Sequence, residues 1–212
     1  MKSTIILTIH NKQDLLPLLL TKLYEETNWI ETEIIFVVDG CTDNSLALVE
    51  DWCNHHFYIL TEVIITPNLF ETKANKKKKK RARGKYVIII QDDMIVNEKD
   101  WNVRILEPFH KWDDVFAVSA NCAHNWELNP NSQGIKDGWS NLLNHIDHAN
   151  KTNTPRNVFA IRDSVNRGPL AINRSALEKL NYFDEKFAPL DCDDHDLMYR
   201  MQHFMRLKKG NY

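Results

Sequence analysis

Glycine is scarce in this chain, with six residues in 212. None of them forms a Gly-x-Gly-x-x-Gly run, so a dinucleotide fingerprint is absent. Gly84-Lys85 lacks the upstream glycine and the downstream Ser/Thr of a P-loop. No Gly-x-Ser-x-Gly elbow occurs, which leaves a serine hydrolase without a nucleophile. Cysteine is also sparse: Cys41, Cys53, Cys122 and Cys192 lie far apart, with no Cys-x-x-Cys pair. That argues against a zinc ribbon and a disulfide scaffold, and it fits a reducing, cytoplasmic compartment. No apolar run approaches the ~20 residues that a membrane span needs. Met1-Lys2-Ser3 leads into an apolar stretch too short for a signal-peptide core and its cleavage site.

What is present has the profile of a soluble globular protein: 43% hydrophobic and 26% charged residues. The length suits one domain with a core that needs no staples. A net charge of -2 hides an uneven distribution. Nine Lys or Arg and no acid fall between Lys73 and Lys85, so the rest of the chain carries -11. This block is either a solvated loop or a patch facing phosphate or an anionic membrane surface. Nucleic acid is not the expected partner. The block lacks interleaved aromatics, and the acidic body repels a polyanion.

Periodicity predicts alternating strands and helices. Ser3 to Ile9 is a buried strand, and Asp14 opens a helix that runs to about Glu26 with Pro17 in its first turn. Glu33 to Val38 is a second buried strand. Asp39-Gly40-Cys41-Thr42-Asp43-Asn44-Ser45 is a turn that opens a helix carrying Leu46, Val49, Trp52 and Cys53. Tyr58 to Thr66 is a third strand, the basic block has some helical character, and Tyr86 to Ile90 is a fourth strand. Further on come a helix from Trp101 to Trp112, a strand from Val115 to Ala120, and long loops from Asn121 to Arg156 with a helix at Trp139 to His148. Extended segments around Arg167-Gly168-Pro169, a helix from Arg174 to Leu180 and a last helix from Asp193 complete the chain. The fold class is α/β: a mainly parallel, mixed central sheet with helices on both faces. Ligands of such sheets bind beyond the carboxyl ends of the strands. His10-Asn11, Asp39 and Asp92-Asp93 all fall there.

Asp92-Asp93 is the strongest single signal. Two acids after the buried run Val87 to Ile90 repel each other and cost desolvation unless a positive group joins them. A hard divalent cation bridging to phosphate oxygens answers this; a pair of turn residues before the next helix is the plainer alternative. Asp39 can accept hydrogen bonds from a base or ribose, or can cap the following helix. Asn11 is equally a base-facing amide or a turn residue. Asp191, Asp193, Asp194 and Asp196 put four acids within six residues. Helix N-terminal chemistry accounts for two of them comfortably; four suggest a function, and one of the four can serve as a general base. His145 and His148, one helical turn apart, lack an evident third metal ligand.

Four motifs in register resemble the family-2 glycosyltransferases, inverting enzymes of the A-type nucleotide-diphospho-sugar transferase fold, which is Rossmann-like. The first is Thr8-Ile9-His10-Asn11, where relatives have Pro-x-Tyr-Asn. The second is Asp39-Gly40-Cys41-Thr42-Asp43-Asn44-Ser45, for Asp-Gly-Ser-x-Asp-x-Ser/Thr. The third is Gly84-Lys85-Tyr86 with Gln91-Asp92-Asp93, for Gly-Lys-Tyr and Asp-x-Asp. The fourth is Tyr182-Phe183-Asp184-Glu185-Lys186-Phe187 with Asp193-Asp194-His195-Asp196-Leu197, for Gly-Phe-Asp-Glu-x-Phe and Glu-Asp-x-Asp-Leu. Thr8 and His10 depart from the family's Pro and Tyr. Gln91 replaces the first acid of Asp-x-Asp, and Asp193 replaces a Glu.

The resemblance implies a nucleotide-diphosphate sugar donor, most commonly UDP-linked, and transfer to a hydroxyl of a glycan, glycoconjugate or lipid-linked acceptor. Thr8, His10, Asn11, Asp39 and Asp92 are the implied nucleotide-binding residues. Asp93, with Asp92, is the implied ligand of Mn²⁺ or Mg²⁺, and Asp194 the implied general base. Asp196 either orients the site or caps its helix, and Arg167 either meets phosphate or makes an ion pair. Residues 1–97 would form the nucleotide-sugar half and 98–212 the acceptor and base half. The basic block would edge the donor site, and Trp126 and Trp139 either stack on the acceptor or belong to the core. Oligomeric state is not readable. Two other readings fit parts of the pattern. A sugar nucleotidyltransferase would carry a Gly-rich, Arg/Lys signature near the N-terminus, which is absent. A non-catalytic nucleotide- or glycan-binding module would keep the acids for structure alone.

Overall fold

The computed structural model describes residues 1–69, 81–120, 123–124, 159, 164–188 and 192–209. Four strands run parallel: β1 (Ser3–Ile9), β2 (Thr32–Asp39), β3 (Leu60–Thr66) and β4 (Tyr86–Gln91). They join β5 (Ala117–Ser119) and β8 (Leu170–Asn173) in a six-stranded sheet of order β3-β2-β1-β4-β8-β5. β8 is antiparallel to both of its neighbours, β4 and β5. β6 (Ala123–His124) and β7 (Ser164–Val165) form a separate antiparallel pair.

β1 and β2 are buried throughout and β4 up to Ile90, so the sheet's middle is covered on both faces. That is why these strands read as unbroken apolar runs rather than as alternating ones. Alternate residues still divide between two cores. Ile5, Leu7, Ile9, Ile34, Phe36, Val38, Ile88 and Ile90 face one way. They meet Leu16, Leu19, Leu20 and Leu23 of α1 (Leu16–Glu26) and Val49 and Trp52 of α2 (Ser45–His55). Ile6, Ile35, Val37, Val87, Ile89, Leu170 and Ile172 face the other way. Leu177 of α5 (Arg174–Lys179), Phe183, and Leu197 and Met198 of α6 (Asp193–Lys209) cover them. The mixed sheet with helices on both faces is as expected.

Several local expectations change. Asp14 does not cap α1; the cap position is Leu15, without a side-chain bond. At α2 the cap position is Asn44, also without a side-chain bond, and Asp43 just before it accepts the Ser45 N–H at 3.0 Å. The third strand starts at Leu60 and is a half-buried edge. The helix expected over Trp101 to Trp112 is two short ones, α3 (Trp101–Arg104) and α4 (Glu107–Lys111). Pro108 sits in the first turn of α4, where its missing N–H costs nothing. Lys73 to Lys80, Trp126, Trp139, His145, His148 and Asp191 lie outside the described residues.

Gly84 explains one motif. A Cβ there would lie 2.4 Å from the Ser3 carbonyl carbon and 2.5 Å from the Thr4 nitrogen. The chain must pass this close because the Gly84 N–H donates to Thr4 Oγ1 at 2.9 Å as β4 enters beside β1. Glu33, 2% exposed, accepts from Thr4 Oγ1 and from the backbone N–H and Nε of Arg83. Arg83 is therefore anchored at the amino end of β2, away from the strand carboxyl ends, and Arg81 pairs with Glu62 on β3. These two cations of the basic block are not part of the expected donor edge.

Candidate active site

Three loops leave the carboxyl ends of adjacent parallel strands and are stitched together by short polar contacts. Asn11 sits in the left-handed region with φ 50°, a conformation Asn tolerates. That turn lets Asn11 Oδ1 accept the Thr42 N–H at 2.8 Å. Its own N–H points to Cys41 Sγ at 3.3 Å. Lys12 N–H donates to Ser45 Oγ at 2.9 Å, and Gln13 N–H to Asp43 Oδ2 at 3.0 Å. The loop after β1 is thus bonded residue by residue to the loop after β2. The turn reading of Asn11 holds for its oxygen, while the residue itself is exposed at the edge.

His10 links all three strand ends. Its N–H donates to Asp92 Oδ2 at 2.8 Å, across from β4. Its ring Nδ1 lies 2.6 Å from the Asp39 carbonyl, which can only accept, so Nδ1 carries the proton. Both bonds fix an exposed imidazole above the ends of β1, β2 and β4. A fixed, flat ring is suited to stacking on a planar ligand, as the family's Tyr at this place would be. Thr8, 9% exposed, lies on β1 opposite Val37 and Gln91.

Asp39 is 2% exposed. It does not cap α2. One oxygen, Oδ1, accepts both the Thr66 hydroxyl at 2.6 Å and the Leu69 N–H at 2.7 Å. It thereby shapes the turn after β3, against which Gly40 packs. A Cβ on Gly40, at φ +61°, would lie 2.5 Å from Asn68 Cβ. Thr66 was not singled out in the sequence. Its only signal is its place at the end of a strand beside an acid-bearing neighbour.

The acid pair is divided. Asp92 is partly buried, and burial raises its carboxyl above the usual range, while the His10 N–H and the charge of Lys12 pull it back. Lys12 Nζ lies 3.7 Å from Asp92 Oδ1. Asp93, next in the chain, is exposed. The protein itself therefore supplies the positive group that the pair calls for, in Lys12 of the loop after β1. The pair also fits a hard divalent ion: two carboxylates offer oxygen, and a diphosphate and water would fill its remaining positions. Among the described residues, no three His, Cys, Asp or Glu side chains converge into a closed metal site.

A second acidic group reaches the same edge from another direction. β8 begins at Leu170, paired with Ile89 near the end of β4. Arg167, three residues earlier, therefore lies at the carboxyl edge, and it holds the first turn of α6. Its guanidinium pairs with Asp193, and its N–H approaches Asp194 Oδ2 at 3.4 Å. Asp193 is 2% exposed, and its other oxygen accepts the Asp194 N–H at 2.9 Å. Asp194 is 8% exposed and makes no ion pair among the described residues. Asp196 pairs with Arg200, whose guanidinium also donates to the Leu180 and Tyr182 carbonyls. Asp196 thus ties α6 to the turn after α5, and Arg167 makes an ion pair.

The family model described as glycosyl transferase family 2 matches residues 4–181. The chain belongs to glycosyl transferase family 2. No curated protein sequence matches it. Among solved structures, the mannosyltransferase PcManGT from Pyrobaculum calidifontis, in complex with GDP-Man and Mn²⁺, superposes with a TM-score of 0.69 at 16% identity. That match covers 94% of this chain and 51% of the other. S. aureus TarS 1-349 in complex with UDP-GlcNAc gives 0.63 at 16% identity, over 95% and 53%. GalNAc-T7 with UDP, GalNAc and Mn²⁺ gives 0.65 at 13% identity, over 95% and 40%. At such identities the likeness is one of fold, and this chain spans about half or less of each. Three of the four glycosyltransferase motifs lie within the matched residues. The Asp193–Asp196 group lies beyond them, so its role rests on geometry and resemblance alone. None of the described helices is long and apolar enough to cross a membrane, and Cys41, Cys53 and Cys192 are free.

Proposed function

We propose that this family-2 protein is an inverting glycosyltransferase that moves a sugar from a nucleotide-diphosphate donor, UDP-linked by preference, to an acceptor hydroxyl. The observation that carries the reading is the joining of His10, Asp39 and Asp92 at one edge of the parallel sheet, by the 2.8 Å and 2.6 Å bonds of His10. Thr8, His10, Asn11, Asp39 and Asp92 would hold the nucleoside, with the His10 ring against the base. Asp39 would offer its Oδ2, because Oδ1 already serves Thr66 and Leu69. Asp93, with Asp92, would hold Mn²⁺ or Mg²⁺; the chemistry such an ion supplies is charge compensation on the departing diphosphate.

Asp194 is the proposed base. Asp193 is committed to Arg167 and to the Asp194 N–H, and Asp196 to Arg200, which leaves Asp194 as the acid of this group without an ion pair among the described residues. Asp194 would take the proton of the acceptor hydroxyl while that oxygen bonds to the anomeric carbon. The bond from that carbon to the diphosphate breaks on the opposite side, and the configuration inverts. Residues 1–97 would serve the donor and 98–212 the acceptor, a glycan, glycoconjugate or lipid-linked hydroxyl. The segment Lys73 to Lys85 is a candidate for contact with an anionic membrane surface, and a cytoplasmic location accords with the free cysteines.

The test is calorimetric titration of UDP, GDP, UDP-N-acetylglucosamine and GDP-mannose, with Mn²⁺ and with chelator, on wild type and Asp93→Ala. Metal-dependent binding of one nucleotide, lost in the variant, is the expected result. Folded protein that binds none of them would sink the reading.

A further inference from the structure

We infer that Arg167 is a positioning residue for Asp194, the keystone of a clamp that residues 164–167 place on the first turn of α6. The inference rests on the reading of Asp194 as the base.

Three consecutive residues of that turn are held by this one segment. Asp193 meets the Arg167 guanidinium. Asp194 meets the Arg167 N–H. His195 lies 3.1 Å from Ser164 Oγ through Nδ1 and 3.1 Å from Asn166 Nδ2 through Nε2. The two acids follow one pattern. Each uses Oδ1 to accept the N–H of the next residue, at 2.9 Å for Asp193 and 2.8 Å for Asp194. These bonds serve N–H groups that the start of a helix leaves without intrahelical partners. Each acid then turns Oδ2 toward Arg167, one to its side chain and the other to its backbone.

Arg167 is itself fixed. Its side chain is 14% exposed and lies over the Phe183 ring, 5.5 Å from the centroid. A planar guanidinium can stack on a ring and bond a carboxylate at once, which an ammonium does poorly. The backbone N–H facing Asp194 survives any substitution at 167, but its place depends on the guanidinium anchoring the segment to Asp193. The ion pair thus sets the carboxylate beside it, and a misplaced reacting group costs rate even when binding is intact.

The test uses Arg167→Lys, Arg167→Met and the double variant Arg167→Met/Asp193→Asn. The double removes both charges and keeps the fold even if Arg167→Met alone, with a buried acid left unpaired, does not. Three quantities are read: UDP and GDP affinity with Mn²⁺, hydrogen exchange of the amides of residues 193–196, and nucleoside diphosphate release from UDP-N-acetylglucosamine and GDP-mannose. In the double variant, exchange in the first turn of α6 is expected to rise about tenfold while α1 and α2 keep their protection. Turnover falls about tenfold or more with nucleotide affinity unchanged, and Arg167→Lys lies between. Wild-type exchange at 193–196 in the double variant would overturn the inference, as would faster exchange with full turnover. If Asp194→Asn keeps full turnover, the base assignment fails, while the exchange result still judges the clamp.

Discussion

Residues 1–97 and residues 164–209 bring acids to the same edge of the sheet by opposite routes. In the first stretch the strands end at the edge and carry their acids there: Asp39 closes β2, and Asp92 and Asp93 directly follow β4. In the second, a strand begins there. β8 runs antiparallel, so the segment before it, not after it, reaches the site. The acids then arrive on a helix that the segment grips. The first arrangement is bonded chiefly through backbone groups and short side chains. The second adds a buried ion pair, Arg167 with Asp193, to the contacts that Ser164 and Asn166 make with His195. Under the proposed function, the first region would hold the donor and the second would aim one carboxylate.

Separating the two roles gives the largest expected effect. Asp194→Asn keeps the shape of the helix turn and removes the proposed proton acceptor. Transfer should fall by about 10² to 10⁴, the usual weight of general base catalysis, with nucleotide affinity unchanged. Asp93→Ala should do the reverse, losing metal-dependent nucleotide affinity. Parallel kinetics and calorimetry on both variants check the division. Equal losses of affinity in the two would erase it.

The next effect concerns the frame beneath the first region. In Gly84→Ala the new methyl would meet backbone atoms of Ser3 and Thr4, which cannot swing aside. A loss of about 1 to 3 kcal/mol is expected from such overpacking, read as a lower denaturant midpoint. A smaller loss belongs to Thr66→Val, which leaves Asp39 with one donor fewer on Oδ1. About 1 to 2 kcal/mol is expected, with weaker nucleotide binding as the turn at residues 66–69 loosens. Nucleotide binding that survives this change intact would separate Asp39 from the donor.

How much of this was legible follows the same divide. β1, β2 and β4 announce themselves as apolar runs because both faces of the sheet are covered, and their ends could be placed to within a residue or two. His10, Asp39 and Asp92 were found because a polar residue directly after a buried run is conspicuous. Arg167 was not assigned, because its partner lies 26 residues away on another element and β8 is only four residues long. Lys12 was missed for a related reason. Its charge matters through Asp92, 80 positions on, and nothing local marks that pairing. Asp14 misled because a good cap residue stood before a helix that starts two residues later, while Asp43 and Thr66 took their roles through contacts between loops.

The smallest effect tests what the proposed donor site costs the fold. Burial is the main cause of the raised Asp92 carboxyl, and Asp93 adds to it against the pull of His10 and Lys12. A carboxyl raised in the folded state holds its proton more readily there than in the unfolded chain. Ionised Asp92 therefore opposes folding at neutral pH. That cost is fully present above the raised value and fades as pH falls toward the ordinary carboxylate value of about 4. Asp92→Asn removes it, and the amide oxygen can still accept the His10 N–H. A slightly higher Tm is expected at pH 7, with the advantage shrinking as the pH approaches 4. An advantage equal at both pH values would not come from ionisation. A lower Tm at pH 7 would mean that Lys12 more than offsets the burial. The expected outcome would make Asp92 a carboxylate kept against stability, which is what a ligand-holding acid is and a turn residue is not.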